Sequence, residues 1–185
     1  MRQLQDKAEA EIIKGCINGI SKFQYELFMR YSESLFATCV RYVGYEDQAK
    51  DVLQESFLAI FKYIQNYNAD KGSLFTWMNK ICINQSLKHI KSSYTVIDFG
   101  EEDHSSVADV NPSVMELLEA NELFNEIIKL PEPYRTVFNL YEIEGFTHLE
   151  IANLLKIQEV SSRSILSRAK KLIIAHLQNL QFKGA

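Results

Sequence analysis

The 185-residue chain is poor in the residues that punctuate structure, with 7 Gly, 3 Pro and 3 Cys. So little Gly and Pro excludes a turn-rich all-β chain and a low-complexity one alike. Cys16, Cys39 and Cys82 are odd in number and lack any CxxC or Cys/His ligand spacing. Neither a disulfide framework nor a zinc site is expected from them. Each lies in an apolar helical context and reads as a small buried hydrophobe in a reducing compartment. No apolar run approaches the ~20 residues that span a bilayer. The start, MRQLQDKAEAEIIK, has no apolar core of a secretory signal. The expectation is a soluble, cytoplasmic protein. Chemistry-bearing clusters are missing as well. There is no Gly-rich phosphate loop and no nucleophile–base–acid set, and His89, His104, His148 and His176 are scattered. No enzymatic activity, cofactor, metal or small-molecule substrate is expected.

A basic excess is also missing overall, because 20 Lys+Arg face 24 Asp+Glu for a net charge of -4. On its face this argues against a nucleic-acid binder. The distribution says otherwise. Residues 71–97 hold 4 Lys and no acid, and residues 160–185 hold 5 basic side chains and no acid. Residues 1–70 carry a net of -2, and residues 98–159 a net of -11. Two purely basic stretches are embedded in an acidic chain.

What is abundant is helical periodicity. Ala8, Ile12, Ile13 and Cys16 form one stripe, and Phe23, Leu27, Phe28, Tyr31, Leu35, Phe36, Cys39, Val40 and Val43 another, on two helices or one bent one. Ala49, Val52, Leu53, Phe57, Ile60, Phe61 and Ile64 continue the pattern. After the polar break at residues 66–72, Ser73 suits the N-cap of a helix running through Ile81, Leu87 and Ile90. Periodicity stops at Ser92 and resumes at the capping box Ser113–Glu116. The intervening Ser/Asp/Glu-rich stretch reads as a flexible acidic linker, with TVIDF (95–99) too short and isolated to make a strand. Pro131 and Pro133 then open a helix through Val137 and Phe138, which Gly145 ends. Thr147–Glu150 is a second capping box, and after a break at Lys156–Gln158 a long helix runs from Glu159 to about residue 180. The fold class is all-α, with domains at 1–92 and 113–185 joined by a linker at 93–112.

A short helix, a tight turn and a longer helix with a basic face is the layout of a helix-turn-helix, whose second helix enters the DNA major groove. Arg163, Ser164, Ser167, Arg168 and Lys171 recur at spacings of three and four on one side. Leu166, Ala169, Leu172, Ile173 and Leu177 form the buried stripe. Arginines there can pair with guanine edges, and Ser161 and Ser162 near the helix start suit phosphate contacts. The alternative is a solvated basic face with no ligand. The other basic stretch interleaves Lys71, Lys80, Lys88 and Lys91 with Phe75, Trp77 and Asn84. Cations attract a backbone, aromatic faces stack on unpaired bases, and an amide reads a base edge, a combination suited to single-stranded or opening DNA. The alternative is that Phe75 and Trp77 are core.

These residues resemble a known family. YEDQAKDVLQESFLAIFKYIQNYNADKGSLFTWMNKICINQSLKHIK (45–91) is similar to region 2 of bacterial sigma factors. LPEPYRTVFNLYEIEGFTHLEIANLLKIQEVSSRSILSRAKKLI (130–173) is similar to region 4. Two such regions with only a short linker resemble the extracytoplasmic-function (ECF) group of the sigma-70 family. That resemblance implies roles. Asp51, Gln54 and Glu55 match the face that grips the clamp helices of core RNA polymerase, with the flap as a further polymerase contact. Trp77 and Asn84 match positions that open the -10 element and hold an extruded base, framed by the loop Asn68–Ser73 with Lys71 and Ser73. Phe75, Lys80 and Lys88 join that surface, and Arg163, Ser164, Ser167 and Arg168 match the -35 reading helix. Promoter DNA and core polymerase are the implied partners, with an anti-sigma factor, often membrane-anchored, as a third. The chain departs from the family pattern at Lys156, where Gly is usual in the turn, at Gln158, where a Ser N-cap is usual, and at Lys88, where an acid is common. Two other readings stand beside an initiation factor: a helix-turn-helix regulator of closed duplex that works without polymerase, and an acidic decoy for an anti-sigma protein. Retained Arg163 and Arg168 argue against the decoy.

Overall fold

The computed structural model describes residues 2–90 and 120–183, with side chains at 9–90 and 123–178. The expected linker, Lys91, the TVIDF segment and the Ser113–Glu116 capping box lie outside the described residues. The chain divides into two compact units between His89 and Ile90. Among the described residues every regular element is a helix.

The first unit holds α1 (Arg2–Ile17), α2 (Ser21–Val43), α3 (Glu46–Tyr63) and α4 (Leu74–Ile90), with short 3₁₀ turns at Ile64–Asn66 and Ala69–Lys71. The second apolar stripe is one helix, α2, and it ends at Gly44 in the left-handed conformation, whose N–H reaches the Val40 carbonyl. The core is built from the expected stripes: Leu27, Leu35 and Cys39 of α2, Ala49, Val52, Phe57 and Ile60 of α3, and Leu74, Met78, Cys82, Ile83, Leu87 and Ile90 of α4 are all buried. The three cysteines are free and buried there, as expected. Gly15 shows how closely α1 meets α2: a Cβ at this position would stand 2.1 Å from Cδ2 of Phe23.

The second unit holds α5 (Ala120–Lys129), α6 (Glu132–Phe138), a π-helical turn (Asn139–Ile143), α7 (His148–Leu155) and α8 (Glu159–Lys183). Arg135, although charged, is buried; its Nη1 donates to the Ile128 and Leu130 carbonyls at 3.1 and 2.8 Å. It thereby satisfies carbonyls that the end of α5 leaves open. The π turn was not legible as such. It widens the last turn of what reads as one helix, and Gly145 (φ 75°) ends it as expected, with the Phe146 N–H donating to the Leu140 carbonyl at 2.9 Å. The buried stripe of α8 is Ile165, Leu166, Ala169, Ile173 and Leu177, while Leu172 is half-buried.

The turn between α7 and α8 keeps a helix-turn-helix geometry without glycine. Lys156 takes the left-handed conformation (φ 61°, ψ 39°), the one non-Gly residue with positive φ among those described. A side chain costs about 1–2 kcal/mol there. Lys156→Gly is therefore expected to raise the stability of this unit by up to about 1 kcal/mol, because glycine's own entropy offsets part of the relief, and Lys156→Val to lower it. Denaturant unfolding of the two variants against the parent chain checks this.

Candidate nucleic-acid interface

On α4, burial of Leu74, Met78, Cys82, Ile83, Leu87 and Ile90 sets the rotation of the helix. Residues at spacings of three and four on the opposite arc, Trp77, Lys80, Asn84 and Lys88, then share one face. Lys80, Asn84 and Lys88 are exposed and Trp77 is half-buried. Its inner neighbour is Tyr67, 5.8 Å away between ring centroids. Tyr67 is the residue that sequence reasoning missed. Its hydroxyl donates to the Gly72 carbonyl at 3.0 Å, so one side chain ties the Trp77 ring to the loop before α4. The only signal for it was an aromatic inside a polar break.

The loop itself is built by small polar groups. Asn68 Oδ1 accepts the Asp70 N–H at 2.8 Å, and Ser73 Oγ accepts the Thr76 N–H at 3.1 Å, capping α4 as expected. Gly72 between them has φ 144°, a conformation side chains rarely adopt. Lys71 is exposed at the loop's outer edge. Phe75 is not part of the same face. Two residues before Trp77, it points about 160° away around the helix. It stacks at 6.5 Å on Tyr31, whose hydroxyl bonds Glu9 Oε2 at 2.5 Å. Burial and that carboxylate push the Tyr31 phenol well above its usual range. Phe75 is 38% exposed, so the alternative of a core ring fails for it, but the structure separates it from Asn84.

On α3, Asp51, Gln54 and Glu55 are exposed together, as expected. One turn on lies Leu58, 71% exposed, which the apolar stripe did not flag because it falls at the middle of the outer arc. Asp51, Gln54 and Glu55 surround this apolar side chain on the same outer arc.

In the second unit the capping box forms in full. The Glu150 N–H donates to Thr147 Oγ1 at 3.3 Å, and Glu150 Oε2 accepts from the Thr147 N–H at 2.8 Å and from its hydroxyl at 2.7 Å. These bonds, the backbone one foremost, hold the Glu150 carboxyl below its usual range. On α8, Arg163, Arg168 and Lys171 are exposed, and Ser161 and Ser164 half-buried, on the outward side. Two serines depart from expectation. Ser162 is fully buried, its Oγ 2.9 Å from Nδ1 of His148. It faces α7 and cannot touch a phosphate, because the inward arc of α8 already begins at this residue. The Ser167 hydroxyl is also buried and has no hydrogen-bond partner among the described residues, so contact with DNA requires another rotamer. Arg163 is held by Glu159 one turn earlier, Nη2 to Oε1 2.5 Å, and Lys170 by Glu142 of the π turn at 2.8 Å. His148, buried at 8% exposure, stacks on Tyr141 with centroids 4.3 Å apart. Burial first, and the Arg163 cation second, pull its pKa below the ordinary 6.5.

Comparison with known proteins matches this layout unit by unit. The model of sigma-70 region 2 matches residues 27–94, and that of sigma-70 region 4 matches residues 120–173. The RNA polymerase sigma-H factor of Pseudomonas aeruginosa is 30% identical over 166 residues, 83% of this chain and 86% of that one. The ECF RNA polymerase sigma-E factor of Haemophilus influenzae is 27% identical over 191 residues, 96% of this chain and 98% of that one. The chain belongs to the ECF group of the sigma-70 family. Its region 2 match spans α2 from Leu27 onward, α3 and α4, and its region 4 match spans α5 through most of α8. Among solved structures, the complex of CnrH with the cytosolic domain of CnrY is similar at 18% identity, covering 91% of this chain and 96% of that one with a TM-score of 0.47. The sigma factor RpoE in complex with the anti-sigma factor NepR from Bartonella quintana is similar at 17% identity, covering 83% of this chain and 96% of that one with a TM-score of 0.48. No described helix of this ECF chain is long and apolar enough to cross a membrane.

Proposed function

We propose that the chain is a dissociable initiation factor that binds core RNA polymerase and directs it to promoters through two separate DNA contacts. The observation that carries the reading is one chain with two outward basic arcs of different character. The α8 arc, with Arg163, Ser164, Arg168 and Lys171, suits the edges and backbone of closed duplex. The α4 arc, with Trp77, Lys80, Asn84 and Lys88, suits an unpaired strand, for which a half-exposed ring offers a stacking platform and Asn84 a base-edge contact. Lys71 and Ser73 would frame an extruded base from the loop. Phe75 contributes through its stack on Tyr31, and Ser162, buried against α7, makes no DNA contact.

The α3 face, with Asp51, Gln54 and Glu55, would dock on the polymerase clamp helices, with Leu58 at its apolar centre. The sequence between the two units then acts as a tether. Once one contact forms, the other becomes intramolecular, which raises its effective concentration without any new contact. Capture of a flipped base offsets the few kcal/mol that unstacking costs. Nothing in this mechanism is a covalent step: the chain is a binding and positioning factor and not an enzyme, acting in the cytoplasm where polymerase and DNA are. The family resemblance adds an anti-sigma factor, free or membrane-anchored, as the partner that would hold it inactive.

The test is transcription by purified chain plus core polymerase on a genomic fragment library. Promoter-specific, polymerase-dependent initiation with strand opening is expected. Sequence-specific duplex binding that ignores polymerase would replace this reading with that of an ordinary regulator, and no DNA binding in either form would replace it with a decoy. On a promoter recovered this way, Arg168→Ala is expected to weaken discrimination at one -35 position by about 1–3 kcal/mol, read by competition binding against mismatched duplexes. Asn84→Ala is expected to reduce strand opening, read by permanganate reactivity at the -10 element, with unfolding stability within about 0.5 kcal/mol of the parent because the side chain is exposed.

A further inference from the structure

His148 and Ser162 form a buried polar contact across the helix-turn-helix that none of the roles above uses. His148 is the first residue of α7 and Ser162 lies in the first turn of α8. His148 is 8% exposed and Ser162 is 0% exposed, with Nδ1 and Oγ 2.9 Å apart. The far face of the imidazole lies on Tyr141 of the π turn, ring planes 21° apart. The ring is therefore clamped between α8 and the preceding turn. Arg163 follows Ser162 directly, so the two side chains leave the helix about 100° apart. Whatever holds Ser162 inward aims Arg163 outward.

We propose that His148 is a positioning residue for the recognition helix: its contact with Ser162 fixes the rotation of the first turn of α8, and protonation of the ring loosens that turn and weakens -35 reading. The inference rests on the initiation-factor reading for its DNA consequence, but not for its structural one. A neutral imidazole can donate or accept at Nδ1, so the Ser162 hydroxyl always has a complementary role. An imidazolium only donates. The Ser162 hydroxyl must then accept, and its own proton is left to find another acceptor in a buried place. The charged groups around the ring pull both ways: Arg163 and Lys170 of α8 oppose its charge, and Glu159 of α8 and Glu142 of the π turn favour it. Burial decides the matter and keeps the ring neutral near pH 7. Since the folded-state pKa lies below the ordinary 6.5, the neutral ring's contribution is complete above that value and is lost as the pH falls through the lower one. The charge would also appear beside Arg163, whose side chain lines the same shallow depression as His148.

Two readouts on the full chain test this. The first is the amide chemical shifts of residues 160–164 between pH 8 and pH 5, beside the His148 ring signals. The first-turn amides are expected to move with the titration of His148, and to lose that response in His148→Phe, which keeps a ring for Tyr141 to stack on. Ser162→Ala should leave the His148 titration in place and uncouple it from the amides of residues 163 and 164. Amides that ignore the His148 midpoint, or that titrate unchanged in His148→Phe, overturn the proposal whatever the protein does with DNA. The second is the affinity of the reconstituted holoenzyme for a promoter fragment recovered from the library. The parent is expected to lose affinity as the pH falls below the His148 midpoint, by at most about tenfold per pH unit, the limiting slope for one proton, and His148→Phe to lose markedly less. An equal loss in both overturns the DNA consequence. Coupled amides in a protein that binds no promoter at any pH would uphold the positioning role and count against the initiation-factor reading instead.

Discussion

The burial of one arc of α4 governs the first unit. Leu74, Met78, Cys82, Ile83, Leu87 and Ile90 fill the core, and a helix that commits those positions has no freedom left to choose which residues face out. Trp77, Lys80, Asn84 and Lys88 are presented because their neighbours are buried. The same constraint orients α3, where Ala49, Val52, Phe57 and Ile60 go inward and leave Asp51, Gln54, Glu55 and Leu58 outside. In α8 it acts through Ile165, Leu166, Ala169 and Ile173, and turns Arg163, Arg168 and Lys171 to solvent. Binding surfaces made this way are rigid at low cost, since the core that stabilises each unit also fixes their geometry.

Much of this was legible in the chain, for local reasons. Caps at Ser73 and at Thr147 with Glu150 are hydrogen bonds between residues three apart, so the residue types alone announce them. Apolar stripes at helical period located the core. Two of the misses depend on contacts between segments distant in sequence. Ser162 reads as a polar residue near a helix start, and only the packing of α7 on α8 shows that it is buried against His148. Phe75 looks like a partner for Trp77 until the helix is built and Tyr31 of α2 claims it. Tyr67 gave only the weak signal of an aromatic in a polar break, and Leu58 gave none, because an isolated exposed Leu is ordinary. The π turn left no trace in periodicity, since it displaces the pattern by a single residue.

The charge distribution now has a structural sense. Lys71, Lys80 and Lys88 of the first basic stretch fall on the loop and outer arc of α4, and Arg163, Arg168 and Lys171 of the second on the outer arc of α8. Glu159 even neutralises Arg163 on the proposed reading face, an exposed ion pair that contributes little to stability but would have to be broken or shared for that arginine to reach a base. With a net charge of -4 and only a few basic side chains on either arc, the free chain is expected to have a weak electrostatic attraction to DNA. Sequence-directed affinity then has to come from both units acting together on a scaffold that holds them at one promoter. The proposed dependence on polymerase fits the charge pattern as well as the family.

The most direct measurement is the affinity for one promoter duplex, at fixed near-physiological salt, of the chain alone and of the chain bound to core polymerase. The account predicts that the free chain binds that duplex no better than unrelated DNA, on the order of 10⁻⁴–10⁻⁶ M. The complex should bind it at least about a hundredfold tighter and with clear sequence preference. Tight, sequence-specific binding by the free chain that polymerase does not improve would contradict it.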